Sequence, residues 1–264
     1  MKLLTWVLTV SIVIIASATF AADSTNSSRP TLFLIGDSTV KNGTKGQVGW
    51  GQVIAPWFDQ AKITVTNRAL GGRSSRTYLN EGLWSKVLAD VKPGDFVLMQ
   101  FGHNDGGPLT GGRARASLKG NGDETQDVAN NGTNETIHTY GWYMRKYISD
   151  TKAKGATPIV LSLVPRNIWK EGKVARAAND YGKWAAEAAK AQGVQFVDLN
   201  EIIARHYEEA GQKKVQEEYF GTEDHTHTLQ AGAEANAASV VEGIKELKDC
   251  PLRKYVLAQP TSSK

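Results

Sequence analysis

Thr31-Leu32-Phe33-Leu34-Ile35-Gly36-Asp37-Ser38 is an apolar run that halts on a glycine and an acid and then presents a hydroxyl. Leu32 to Ile35 does not alternate with polar residues, the pattern of a short strand buried on both faces. Such strands belong to parallel sheets, and parallel sheets place ligands at the carboxyl ends of their strands. Ser38 stands at such an end. Taken alone, a serine just beyond a strand reads more readily as a cap for the next segment than as a catalytic group.

Working outward, four more β-rich runs follow: Ile63–Val65, Phe96–Phe101, Pro158–Val164 and Gln195–Leu199. Amphipathic stretches separate or follow them at Trp50–Phe58, Leu79–Val91, Ile137–Lys154, Val174–Gln192, Glu201–Ala210 and Leu229–Leu247. Lys-Gly at 154–155 and Gln-Gly at 192–193 close two of the helices. Strand and helix alternating in this way call for right-handed crossovers and helices on both faces of the sheet. The expected fold is a three-layer α/β/α sandwich, flavodoxin-like, with a five-stranded parallel sheet in the order 2-1-3-4-5. One segment breaks the alternation. From Gly106 to Thr136 the chain is rich in Gly, Asn, Thr and charge without periodicity, and it reads as a long loop on the rim of a site.

The amino terminus reads as a leader. Lys2 supplies a positive start, Leu3 to Ile15 an apolar core, and Ala16-Ser17-Ala18-Thr19-Phe20-Ala21-Ala22 a small-residue exit. The expected organisation is a secretory signal peptide at 1–22, one catalytic domain at 23–250, and a C-terminal tail at 251–264 that adds little to the core. The mature chain is then secreted or periplasmic. Cys250 is the lone cysteine, so no internal disulfide is possible and the core must hold by packing. The net charge of +4 among 264 residues is too mild and too dispersed for a nucleic-acid protein. No membrane association is expected once the leader is cut. Sequons at Asn26, Asn42, Asn131 and Asn134 matter only in a glycosylating host.

Three strand ends carry chemistry. Ser38 follows the first, Asn67-Arg68-Ala69-Leu70-Gly71-Gly72-Arg73-Ser74-Ser75 the second, and Phe101-Gly102-His103-Asn104-Asp105 the third. In the expected strand order these ends lie on one edge. A hydroxyl, a bare backbone N–H at Gly72 and the Asn104 amide therefore converge, which are the parts of a nucleophile and an oxyanion hole. A base is supplied near the carboxyl end by Asp224-His225-Thr226-His227. Residues three apart on a turn share a side, so Asp224 can orient His227 for Ser38. His225 points away and is the weaker candidate. A metal reading of Asp224, His225 and His227 lacks a further ligand cluster at suitable spacing.

These blocks resemble the SGNH (GDSL-like) hydrolase superfamily and, within it, the rhamnogalacturonan acetylesterases. The resemblance is carried by Gly36-Asp37-Ser38-Thr39, Ala69-Leu70-Gly71-Gly72-Arg73-Ser74, Gly102-His103-Asn104-Asp105-Gly106-Gly107 and Asp224-His225-Thr226-His227, in the family's order. It implies Ser38, Asp224 and His227 as the catalytic triad, an oxyanion hole of Ser38, Gly72 and Asn104, and no metal or cofactor. It also implies acetyl removal from an acetylated acidic plant cell-wall polysaccharide. Alternatives within the fold are an esterase for acetylated xylan or short-chain esters, and a non-catalytic carbohydrate-binding protein. For an acidic polymer the sequence offers Arg73, Arg76, Arg113, Arg115 and Arg166 near the same edge, with Trp169 to stack on a sugar ring.

Overall fold

The computed structural model describes residues 29–130 and 132–261; the expected leader at 1–22 lies outside them. Strand β1 (Thr31–Gly36) pairs in parallel with β2 (Thr64–Asn67) on one side and with β3 (Phe96–Gln100) on the other. The hairpin strands β4 (Thr125–Asn130) and β5 (Thr133–His138) stand outside this sheet, which continues through β6 (Thr157–Leu161). A second small hairpin, β7 (Trp169–Lys170) with β8 (Lys173–Val174), precedes the edge strand β9 (Gln195–Val197). The order β2-β1-β3-β6-β9 is the expected 2-1-3-4-5 arrangement.

Side-chain alternation along the strands divides the interior into two cores. Leu32 and Leu34 of β1 join Leu98, Ile159 and Leu161 on one face, while Phe33 and Ile35 join Val97, Met99 and Val160 on the other. The first face is covered by α5 (Leu199–Ala210) and α7 (Gln230–Glu246); between them α6 (Gln212–Lys214) runs into a π-helical turn, Val215–Phe220. The second is covered by α1 (Ser75–Asn80), α2 (Leu83–Asp90), α3 (Tyr140–Ala153) and α4 (Tyr181–Ala191). Burial on both faces is why the central strands β1, β3 and β6 carry no polar alternation. Each fully buried Leu, Ile or Phe contributes about 1.5–3 kcal/mol.

Four expectations need correction. Trp50–Phe58 is not one helix but two 3-10 turns, Trp50–Gln52 and Ala55–Trp57. Pro56 lacks the N–H a continuing helix needs, and Gly51 packs so tightly that a Cβ there would meet Asn67 Nδ2 at 2.6 Å. Leu79–Val91 is split because Gly82 adopts a left-handed conformation, φ 72°, between α1 and α2. The loop Gly106–Thr136 contains β4 and most of β5. Both strands are mainly polar and only Ile137 is buried, so there was no apolar alternation to read. Finally, the tail packs on the core through Leu252, Tyr255 and Val256. Leu252 is fully buried, the Tyr255 ring lies 5.9 Å from Phe96, and Leu257 N–H donates to Trp57 O at 2.9 Å.

Candidate active site

The turn after β1 is locked from beneath. Asp37 is buried, and its Oδ1 accepts from both the N–H and the hydroxyl of Thr39 at 2.8 Å. Thr39 Oγ1 accepts from Gln100 Nε2 at 2.7 Å, and Gln100 Oε1 accepts from Trp50 Nε1 at 2.8 Å. Asp37 O takes the N–H groups of Val40 and Lys41, so the cap role open to Ser38 falls to its neighbour's carbonyl. Gly36 is required at the strand end: a Cβ there would lie 2.4 Å from Gln100 O. Ser38 is thereby left half-buried with its hydroxyl free of the turn.

That hydroxyl donates to His227 Nε2 at 2.8 Å, and His227 Nδ1–H donates to Asp224 Oδ2 at 2.7 Å. The carboxylate fixes the tautomer, since the nitrogen facing it must carry the proton. Asp224 Oδ1 accepts from the N–H groups of Thr226, at 2.6 Å, and His227, at 3.0 Å. Burial pushes the Asp224 carboxyl up, but the His227 ring and the two backbone N–H groups outweigh it and hold it at about 2. The arrangement can deprotonate an alcohol at its Oγ and hold an imidazolium against an ionised acid.

The second and third strand ends reach the same place. The loop after β2 passes beside the serine, where a Cβ on Gly71 would sit 3.4 Å from Ser38 Cβ. Gly72 has φ 80°, which favours glycine, and its carbonyl accepts from Arg115 Nη1 at 3.2 Å. Its N–H and that of Ser38 have no acceptor among the described residues. Asn104 is buried and donates one amide hydrogen to Arg73 O at 3.0 Å, leaving the second available. Next to it, Asp105 accepts from Ser75 N–H and Ser117 Oγ at 3.1 Å and from Ser75 Oγ in a shorter bond. These bonds tie α1 and the following loop to the third strand end.

Of the basic candidates, Arg76 is corrected outright. It is 1% exposed, with two nitrogens on Glu135 and a third donating to Leu109 O and Ala116 O. A guanidinium so enclosed braces α1 against the β4–β5 hairpin and is closed to a ligand. Arg73 stands at the rim, held by Glu81 at 2.9 Å and by Gly71 O. Arg166 bonds Thr226 Oγ1 and approaches His225 Nε2 at 3.5 Å, so its charge lies on the turn that carries His227. Arg113 is exposed. Trp169 is half-buried, donates to Asn167 Oδ1 at 2.6 Å, and lines a cavity of about 190 Å³ with Gln212, Gln216, Asp224 and His225. Among the described residues no three His, Cys, Asp or Glu side chains are grouped closely enough to hold a metal ion.

Sequence reasoning passed over Gln47, which donates to Asp224 Oδ2 at 3.0 Å, and Gln100 beneath the serine turn. Gln47 lies in a polar, glycine-dotted stretch with no signal of its own. Gln100 could have been noticed as the polar residue closing an otherwise apolar strand.

A family model described as the GDSL-like Lipase/Acylhydrolase family matches residues 34–235. Rhamnogalacturonan acetylesterase of Emericella nidulans is 35% identical over 214 residues, which cover 81% of this chain and 84% of that protein. The probable rhamnogalacturonan acetylesterase YesY of Bacillus subtilis is 32% identical over 233 residues, 86% of this chain and 98% of its own. Among solved structures, that of Bacillus subtilis YxiM superposes with a TM-score of 0.67 at 26% identity. The match spans 83% of this chain but 56% of that one, little more than half of it.

Proposed function

Because the chain belongs to the GDSL-like lipase/acylhydrolase family, and is thus a carboxylic ester hydrolase, we propose that it removes acetyl groups from rhamnogalacturonan outside the cell. In this reading Ser38 is the nucleophile, His227 the general base and Asp224 the acid that orients it. The observation that carries the reading is the unbroken line of hydrogen bonds from Asp224 through His227 to Ser38.

The reaction runs in two halves. Ser38 Oγ attacks the acetyl carbonyl carbon while its proton passes to His227 Nε2. Negative charge on the carbonyl oxygen is met by the N–H groups of Ser38 and Gly72 and by the free amide hydrogen of Asn104. Collapse breaks the bond to the sugar oxygen, which takes the proton from His227 and leaves as a hydroxyl. Water then gives a proton to His227, attacks the acetyl-enzyme, and releases acetate with Ser38 restored. Every proton goes through one imidazole, and the acid stays ionised throughout.

The substrate assignment is supported by the names of the two relatives and by positive charge beside the site from Arg73, Arg115 and Arg166. Secretion is supported by the leader-like residues 1–22, and exported protein should begin at Ala22 or Asp23. The deciding experiment compares acetate release from acetylated rhamnogalacturonan, homogalacturonan and xylan. The first should be preferred, and Ser38→Ala should abolish release from it. A preference for xylan overturns the substrate, and an active Ser38→Ala enzyme overturns the mechanism. A serine-directed phosphonate should label Ser38, which a binding protein without catalysis would not permit. A chelator should leave the rate unchanged.

A further inference from the structure

We infer that Gln47 is a positioning residue of this site: its amide, polarised by Asn42, holds the Asp224 carboxylate against His227 and ties it to the loop that carries Ser38. The inference rests on the Ser38–His227–Asp224 reading.

Asp224 and His227 sit on one turn, whereas Ser38 arrives from the other end of the chain. Hydrogen bonding inside the turn can fix the acid relative to the imidazole but not relative to the nucleophile. Gln47 carries a contact from the Ser38 loop to the carboxylate itself, donating Nε2–H to Asp224 Oδ2 at 3.0 Å. This is the oxygen that also receives His227 Nδ1–H, so its two donors fix where the lone pairs point.

The direction of the Gln47 amide is imposed by a relay. Thr44 N–H donates to Asn42 Oδ1 at 2.9 Å, which forces Asn42 to present Nδ2 onward. Asn42 Nδ2 donates to Gln47 Oε1 at 3.0 Å, which forces Gln47 to present Nε2 to the acid. Asn42 is itself buried, and its N–H is held by Gln52 Oε1 at 2.8 Å, together with Gly49 N–H. Every donor in the series points the same way, toward the carboxylate, and aligned amides strengthen one another. Had either amide been reversed, a carbonyl oxygen would face Asp224.

Gln47 is not needed to keep its loop attached. Val48 N–H donates to Thr228 O and Thr228 Oγ1 donates to Val48 O, each at 2.8 Å, and these two bonds already join the loop to the turn. The side chain of Gln47 is therefore free to act on the carboxylate alone.

Four variants test this with 4-nitrophenyl acetate, a small neutral ester. Gln47→Leu should lower kcat about ten-fold or more, the worth of a hydrogen bond to a charged group, with KM held within about two-fold. Gln47→Glu puts a second carboxylate beside Asp224 and should move the acid limb of the pH profile upward by about half a unit or more. The other titratable groups around the site, Asp37, His103, Arg166 and His225, are the same in every variant. Asn42→Asp keeps the acceptor for Thr44 but reverses the relay, so it should be slower than Asn42→Ala despite the closer shape. Thermal melting accompanies each measurement. Ser38→Ala serves as the control: if it is inactive while Gln47→Leu keeps full kcat and an unmoved acid limb, the inference fails and the triad stands. If Ser38→Ala is active, the triad itself fails. Should Gln47→Leu not fold, the Asn42 pair decides, and Asn42→Asp as fast as Asn42→Ala overturns the inference.

Discussion

The side-chain amide of Asn104 donates to the backbone carbonyl of Arg73 at 3.0 Å, which couples the third strand end to the loop after the second. One hydrogen of the amide is spent on this orienting bond, and the other has no acceptor among the described residues. Removing the side chain therefore deletes a donor and loosens the loop that carries Gly72. Asn104→Ala is expected to lower kcat by about 10²–10³, the range for a single oxyanion donor, with little change in KM for a small ester. Steady-state kinetics within about two-fold of wild type would remove Asn104 from the hole.

Ser38 and His227 are expected to act as a unit, since the proton taken from one resides on the other at 2.8 Å. Ser38→Ala and His227→Ala should each remove nearly all activity, and the double variant should be no slower than the slower single one. Additive losses across that cycle would mean that the two residues serve separate steps.

Arg76 and Glu135 form a bridge in which the guanidinium is 1% exposed and the carboxylate 22%. Arg76→Ala removes the charged partner of Glu135, leaving it the Asn80 amide, and leaves the carbonyls of Leu109 and Ala116 without their donor. Urea unfolding should show a loss of about 3 kcal/mol, as for other broken buried pairs. KM on an acidic polymer should stay near wild type in whatever protein remains folded. A normal midpoint with a raised KM would return Arg76 to the substrate-binding residues.

Asp105 gives the fold a pH dependence. Burial pushes its carboxyl up to about 7, against the opposing bonds from Ser75 and Ser117. A carboxyl raised in the folded state contributes stability that is complete below the unfolded value of about 3.9 and fades as pH climbs to about 7. Asp105→Asn cannot ionise in either state, so its urea midpoint should lack that part of the decline. Parallel midpoints for wild type and Asp105→Asn at about pH 4.5, 5.5 and 7 would contradict this.

The carboxyl-terminal segment should prove structural. Leu252 is fully buried against the first core, so Leu252→Ala should cost about 2–5 kcal/mol. Thermal or urea unfolding checks this, and an unchanged midpoint would restore the view of 251–261 as a loose extension.

The sequence by itself determined the sheet and its order, because strands buried on both faces must be apolar throughout and helices between them must close with recognisable ends. It also singled out Ser38, His227 and Asp224, which hydrogen bonds join in the folded chain. Ser38, Gly72, Asn104 and the Asp224–His227 turn all fall just beyond the ends of elements, where the chain carries chemistry rather than packing. What the sequence left open follows from contacts made across long separations. Nothing local to Arg76 says that Glu135 encloses it, and nothing local to Gln47 says that its amide meets a carboxylate 177 positions away. The exposed hairpin β4–β5 escaped for a related reason: with both faces polar, its strands are specified by pairing with each other and not by a buried stripe. Periodicity records what a residue faces only when one side is core and the other water. Where polar groups face one another, only the folded chain decides which of them meet.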